Sequence, residues 1–123
     1  MSLIDVHAHF LPTGYRDALA ASGIDHPDGF PRVPMWSAED HVAVMNRLGI
    51  ASAVLSVSSP GVQFGDGSTA SDAVALARHV NDVAADTITH HPGRFGAFAS
   101  LPMADVDASL AEIERALDGL GLD

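Results

Sequence analysis

The sequence predicts an α/β fold of parallel strands joined by helices, and three observations point to it. Short runs rich in branched residues alternate three times with longer segments whose apolar residues keep helical spacing. Successive strands begin roughly forty residues apart, which leaves room for a helical crossover between parallel neighbours. At 123 residues the chain has the size of one domain or part of one. We therefore expect about three β/α units within residues 1–123.

The first strand is predicted at Leu3–Val6, a short branched run that leads into the polar residues His7 and His9. Frequent prolines and glycines then predict a long loop over residues 10–36, with at most one short helix near Tyr15–Ala21. Long ordered loops in compact domains are often functional. The loop after the first strand is therefore a candidate part of a binding site.

A helix and a second strand follow the loop. Ser37 and Asp40 have the spacing of a capping box. This cap predicts a helix over residues 38–48 that stops at Gly49. The next run of branched and small residues predicts the second strand at Ala53–Val57, which ends in a polar loop.

The most clearly marked helix lies between the second and third strands. Ser71 and Asp72 can cap its first turn, and Pro92 stops it. Its apolar residues keep helical spacing: Ala73, Leu76, Val80, Val83, Ala84 and Ile88. The third strand is then predicted within Arg94–Ser100.

The last helix is predicted to be amphipathic and to be capped by Asp105 or Asp107. Its apolar side consists of Leu110, Ile113, Leu117 and Leu120, and its charged side of Glu112, Glu114 and Arg115. A further strand is expected to begin after Leu122, so residues 1–123 are interpreted as an interrupted fold.

Composition excludes several kinds of partner and site. Sixteen acidic residues against six arginines give a net charge of −10, with no lysine, which argues against binding nucleic acid or an anionic membrane. Apolar runs are far shorter than the roughly 20 residues of a membrane span. The absence of cysteine excludes disulfides and thiolate ligands. Together with the lack of a recognisable secretory signal, it predicts a cytoplasmic protein.

His7 and His9 are the residues most suited to chemistry. Residues two apart on a strand project from the same side, so both imidazoles face one point where the strand ends. Neutral imidazole is a common ligand of zinc and similar ions, and a catalytic zinc site usually takes three protein ligands. Spacing alone leaves both a metal-binding and a structural interpretation of this pair open.

Two segments carry a resemblance to a known family. The run IDVHAHFLP at Ile4–Pro12 resembles the first strand of the amidohydrolase superfamily, and RFGAFASLPM at Arg94–Met103 extends the likeness, with Asn81 in the helix between them. The order and spacing are most similar to the amidohydrolase-related branch that contains aminocarboxymuconate semialdehyde decarboxylase and the resorcylate-type decarboxylases.

This resemblance implies the N-terminal portion of a TIM barrel, with a divalent metal, usually zinc, at the C-terminal ends of its strands. It implies that His7 and His9 are metal ligands and that a histidine and an aspartate from later strands complete the site. It also implies that Arg32, in the long loop, holds a substrate carboxylate, a task suited to a planar guanidinium. No catalytic acid or base is identified in this chain.

The function predicted on this basis is metal-dependent decarboxylation of a small carboxylated substrate, aromatic or muconate-like. Hydrolysis of a lactone, amide or ester by a metal-bound hydroxide is the alternative within the superfamily. An alternative of another class is a non-catalytic fragment that needs a partner to bury its open barrel face. The resemblance also implies a homo-oligomer.

Overall fold

The computed structural model describes residues 2–123, with Asp66 described by its backbone alone. Its single sheet has three parallel strands in the order β1-β2-β3, which confirms the predicted α/β class. The strands are β1 (Leu3–His9), β2 (Ile50–Ser56) and β3 (Phe95–Ala97). The helices are α1 (Thr13–Ala21), α2 (Ala38–Leu48), α3 (Ala70–His90) and α4 (Val106–Ile113), the last continued by a π-helical segment at Glu114–Gly119.

The helices cover one face of the sheet and leave the other face open. The core between sheet and helices includes Tyr15, Leu19 and Leu55, all fully buried. On the open face, Ile4 and Val6 are 61% and 65% exposed. In a parallel barrel the helices form the outer ring, so the open face corresponds to the barrel interior.

Local capping signals set the helix starts. The Ser37 side chain accepts a hydrogen bond from the Asp40 amide, and Gly49 ends α2 with a φ of 71°, as predicted. Of the two residues predicted to cap α3, Asp72 does so, but its partner in the reciprocal capping box is Thr69, and Ser71 lies inside the helix. No helix in the described residues is long and apolar enough to cross a membrane.

All three predicted strands have different bounds in the structure. β2 runs over Ile50–Ser56, so it begins three residues before the predicted Ala53–Val57 and ends one residue earlier. β1 continues through His9, beyond the predicted end at Val6, because its pairing with β2 extends to His9. β3 is shorter than the predicted Arg94–Ser100. Beyond it, the chain takes a parallel partner on its outer edge, where Asp123 donates its amide proton to Ala97 and accepts one from Ala99.

The predicted orientation of α4 is wrong. Leu110 is 61% exposed and Leu117 is also exposed, whereas Glu112 is only 3% exposed. The charged residue is buried because hydrogen bonds from Asn81 and Arg115 satisfy its carboxylate. The side of α4 that faces α3 is therefore held by a polar network, and Leu110 and Leu117 face outward, whereas Leu120 packs partly buried against the core.

Candidate metal centre

The structure brings His7 and His9 together at the C-terminal end of β1. Their Nε2 atoms lie 3.2 Å apart, and their rings meet edge to face with centroids 4.9 Å apart. Two imidazole nitrogens bound to one zinc ion at a tetrahedral angle lie roughly 3.3 Å apart. The arrangement of these two side chains therefore fits a shared divalent ion.

A carbonyl group of β2 orients the His9 ring. His9 Nδ1 lies 3.3 Å from the main-chain oxygen of Ser56, which can only accept, so a hydrogen bond between these two atoms requires the proton on Nδ1. A neutral imidazole protonated at Nδ1 keeps its lone pair on Nε2, the atom that faces His7. Metal-binding histidines commonly use such a backbone partner to fix the ligating tautomer.

Sequence reasoning missed Ser56. Its Oγ lies 3.2 Å from His9 Nδ1, in addition to the contact made by its carbonyl. The contact depends on the register of the two strands, in which His9 and Ser56 are paired residues. The available signal was a polar residue at the end of the neighbouring strand, because the C-terminal ends of parallel strands meet at one edge of the sheet.

A small cavity of about 110 Å³ opens beside His9 and is lined by residues that include Phe30 and Ser58. Arg32 lies in the same loop as Phe30, but it lines a separate cavity of about 290 Å³ together with Arg16. The structure thus brings other residues of the long loop to His9 and leaves Arg32 in a neighbouring cavity. The role of Arg32 in substrate binding stays a prediction.

Within the described residues, no third candidate ligand joins His7 and His9. With the side chain of Asp66 left aside, no group of three or more His, Asp or Glu side chains in residues 2–123 is arranged to hold an ion. His90 ends α3 and bonds the carbonyl of Asp86 on its own helix. His41 belongs to a half-buried aromatic cluster, in which Trp36 Nε1 donates to His41 Nδ1 at 3.1 Å.

Burial lowers the pKa of His41, and the negative charge of Asp5 partly opposes this effect. The ring of His41 also packs edge-on against Phe95 at a centroid distance of 5.4 Å. A neutral imidazole suits this position, because its Nδ1 must accept the indole proton of Trp36. His41 is therefore part of the packing between α2 and the sheet.

Tyr15 ties α1 to the loop that follows β2. Its hydroxyl donates to the carbonyls of Gly61, at 2.8 Å, and Ser58, at 3.2 Å. Burial raises the pKa of Tyr15 to about 12, so the phenol stays a neutral donor at ordinary pH. This bond fixes one wall of the cavity beside His9, because Ser58 lines that cavity.

A buried polar network holds the segment that leaves β3. The Asn81 side chain donates to the carbonyl of Ser100 at 2.9 Å and accepts from its amide at 2.7 Å. It also donates to Glu112 at 2.7 Å, and Arg115 binds the same carboxylate through two nitrogens. Burial raises the pKa of Glu112, but the hydrogen bonds from Arg115 and Asn81 outweigh it and hold that pKa below its usual range.

The chain is similar to curated decarboxylases along nearly its full length. It is 38% identical to decarboxylase yanB of Aspergillus niger and 39% identical to 6-methylsalicylic acid decarboxylase acuB of Aspergillus aculeatus, over 98% of this chain in each case. These matches cover 32% and 36% of the two relatives. The chain thus spans about a third of the length of the curated relatives it matches.

Solved structures share the fold. An amidohydrolase II structure is 34% identical, with a TM-score of 0.89 over 98% of this chain and 38% of that one. A dihydroxybenzoic acid decarboxylase from a Polaromonas species, with bound manganese and the inhibitor 2-nitroresorcinol, is 28% identical with a TM-score of 0.75. That match covers 98% of this chain and 36% of the decarboxylase.

The family match agrees with the position of the two histidines. The family model described as amidohydrolase matches residues 4–123, a range that includes all three strands except the first residue of β1. The matched range begins three residues before His7, and the structure places the HxH motif at the C-terminal end of a parallel strand. This chain belongs to the amidohydrolase family.

Proposed function

We propose that the chain is the metal-binding N-terminal part of a decarboxylase that acts on a small carboxylated aromatic substrate. The observation that carries this proposal is the pair of Nε2 atoms of His7 and His9, which lie 3.2 Å apart at the end of β1. The names of the curated relatives favour decarboxylation over hydrolysis of a lactone, amide or ester. The proposed substrate class follows the 6-methylsalicylic acid and dihydroxybenzoic acid in the names of two relatives.

His7 and His9 would hold a divalent ion, with its other ligands supplied from outside the described residues. Zinc is the ion we propose, because neutral imidazole is among its commonest ligands. Manganese, which the Polaromonas decarboxylase contains, is the alternative. When bound, the ion supplies positive charge that polarises substrate oxygens. The Ser56 carbonyl keeps the His9 proton on Nδ1 and so leaves Nε2 free to bind.

Arg32 is proposed to hold the substrate carboxylate, since a guanidinium can donate two parallel hydrogen bonds to it. Arg32 lines a cavity separate from the one beside His9, so the loop segment that carries it has to turn toward His9 when substrate binds. Arg32→Gln should weaken binding of a carboxylated aromatic without changing metal affinity. Arg47→Gln, which also removes an exposed arginine, is the matched control.

Metal titration of the 123-residue chain tests the centre directly. We expect His7→Ala and His9→Ala each to abolish stoichiometric binding of Zn²⁺, as followed by calorimetry and by the imidazole resonances. His90→Ala removes an exposed histidine at the end of α3 and should leave binding unchanged. Equal loss in all three variants, or in none, would contradict the assignment. Competition with Mn²⁺ in the same experiment decides between the two ions.

Decarboxylation itself is tested in a complete barrel. Residues 4–123 of this chain, the range that matches the family, can replace the corresponding segment of the Aspergillus aculeatus 6-methylsalicylic acid decarboxylase, to which the chain is 39% identical. We expect the chimera to release CO₂ from 6-methylsalicylate, and His9→Ala in the chimera to abolish this. A folded chimera that binds metal but releases no CO₂ would refute the decarboxylase assignment.

A cytoplasmic location and a homo-oligomer also stay predictions. Cell fractionation checks the location, and light scattering checks the oligomeric state.

A further inference from the structure

Strand β1 is irregular directly before the second histidine. Asp5 pairs with Ala53 and Ala8 pairs with Leu55, so β1 advances by three residues while β2 advances by two. One extra residue in one strand defines a β-bulge, and bulges turn side chains in new directions beside active sites. His7 lies inside this bulge, where it has no partner residue in the ladder.

The bulge decides which side chains of β1 reach the open face. In a regular strand Val6 and Ala8 would share one face. In the structure Val6 is 65% exposed, whereas Ala8 is buried against the helices. His7 and His9 are both exposed on either side of Ala8. The alternation of side chains therefore changes phase between Val6 and His7, and both histidines follow the change.

Asp5 provides the hydrogen bond that this irregular backbone needs. Its Oδ1 accepts the main-chain N–H of His7 at 3.0 Å. Because His7 has no partner residue in the ladder, this bond gives its N–H an acceptor within β1, and an amide left without an acceptor would destabilise the bulge. The carboxylate of Asp5 also lies close enough to His41 on α2 for its charge to act on that ring. Asp5 is thus on the helix side of the sheet, facing away from the Nε2 atoms.

We propose that Asp5 is a positioning residue, whose carboxylate holds the β1 bulge and thereby brings His7 Nε2 to the distance from His9 at which both bind one ion. This inference rests on the metal centre proposed above. Asp5 acts through the backbone and does not touch the ion. An asparagine at this position keeps an oxygen acceptor for the His7 amide and removes only the charge, whereas an alanine removes the acceptor.

The test compares the 123-residue wild type with Asp5→Asn and Asp5→Ala. The first readout needs no metal, and is the exchange rate of the His7 amide proton by NMR. The second is Zn²⁺ affinity. We expect Asp5→Ala to expose the His7 amide to exchange and to weaken Zn²⁺ binding by about ten-fold or more, as is typical when support for a metal ligand is lost. Asp5→Asn should keep both values within about two-fold of wild type.

Asp107→Ala is the control for charge, because it removes an exposed carboxylate from the first turn of α4. Equal loss in Asp5→Asn and Asp5→Ala would assign the effect to charge and overturn the proposal, as would normal His7 exchange in Asp5→Ala. If Asp5→Ala does not fold, Asp5→Asn decides alone, since rapid His7 exchange in that variant contradicts the proposal. A wild type that binds no Zn²⁺ refutes the metal centre, while His7 exchange still decides the role of Asp5.

Discussion

Replacing Asn81 with alanine is expected to lower the free energy of unfolding by about 3–5 kcal/mol. Asn81 is fully buried, and its amide makes two hydrogen bonds to the backbone of Ser100 and one to Glu112. Each neutral bond contributes about 1 kcal/mol, and the bond to a charged group about 1.5–3 kcal/mol. Alanine also leaves the Ser100 amide and carbonyl without their partner, which adds to the loss.

Urea unfolding followed by circular dichroism measures this loss. Asn46→Ala is the matched control, because the Asn46 side chain is exposed and accepts a single hydrogen bond from Arg94. It should cost less than about 1 kcal/mol. Ser109→Ala removes one buried bond to the Pro102 carbonyl and should cost about 1 kcal/mol. If Asn81→Ala were no more destabilising than Asn46→Ala, the network would not hold the β3 exit as argued.

Three further substitutions test other parts of the structure. The pKa of His41 is lowered in the folded chain, so the unfolded chain takes up a proton first and the free energy of unfolding falls as pH drops below about 6.5. His41→Gln should flatten this fall, measured as urea midpoints against pH. An unchanged slope would contradict the reasoning. Tyr15→Phe should cost about 1–2 kcal/mol in urea unfolding at neutral pH. The wild type should lose stability as pH rises from about 10 toward 12, because the pKa of the folded phenol is about 12 and that of the unfolded phenol about 10. Tyr15→Phe should abolish this loss. Leu110 lies on the outward face of α4, so Leu110→Glu should change the free energy of unfolding by less than about 0.5 kcal/mol and reduce binding of an apolar dye. Strong destabilisation would mean that Leu110 is buried.

Helices were predictable where the signal is local. Ser37 caps α2 and Gly49 ends it, as expected, because both act within one turn of the helix. The orientation of α4 could not be read in this way. Apolar spacing favoured a buried Leu110, but the buried residue is Glu112, whose partner Asn81 lies 31 residues away in the sequence. A polar network between two helices overrides hydrophobic periodicity at this contact.

Some residues of the candidate site were also predictable from local sequence, and others were not. His7 and His9 are found from the sequence because residues two apart on a strand share a face. Ser56 is not, because its contact with His9 requires the register of β1 on β2. The bond from the His7 amide to Asp5 is a local contact between residues two apart in the sequence. This bond is important because the alternation of side chains along β1 shifts by one residue at the bulge. The shift becomes visible only when the pairing of β1 with β2 is known.

The two-histidine site and the open sheet face have the same structural origin. Barrel enzymes take their site residues from the C-terminal ends of several strands, and here one of three strands carries both candidate ligands. Ile4 and Phe98 are also exposed on the sheet face that carries the two histidines. In a closed barrel, side chains of further strands would pack against this face. An ion held by two imidazoles keeps positions open for exchange with water, so its affinity depends on ligands that the same strands would bring. The same added strands would therefore cover the apolar face and complete the proposed metal site, so Zn²⁺ should bind the 123-residue chain measurably but more weakly than it binds the chimera with a complete barrel.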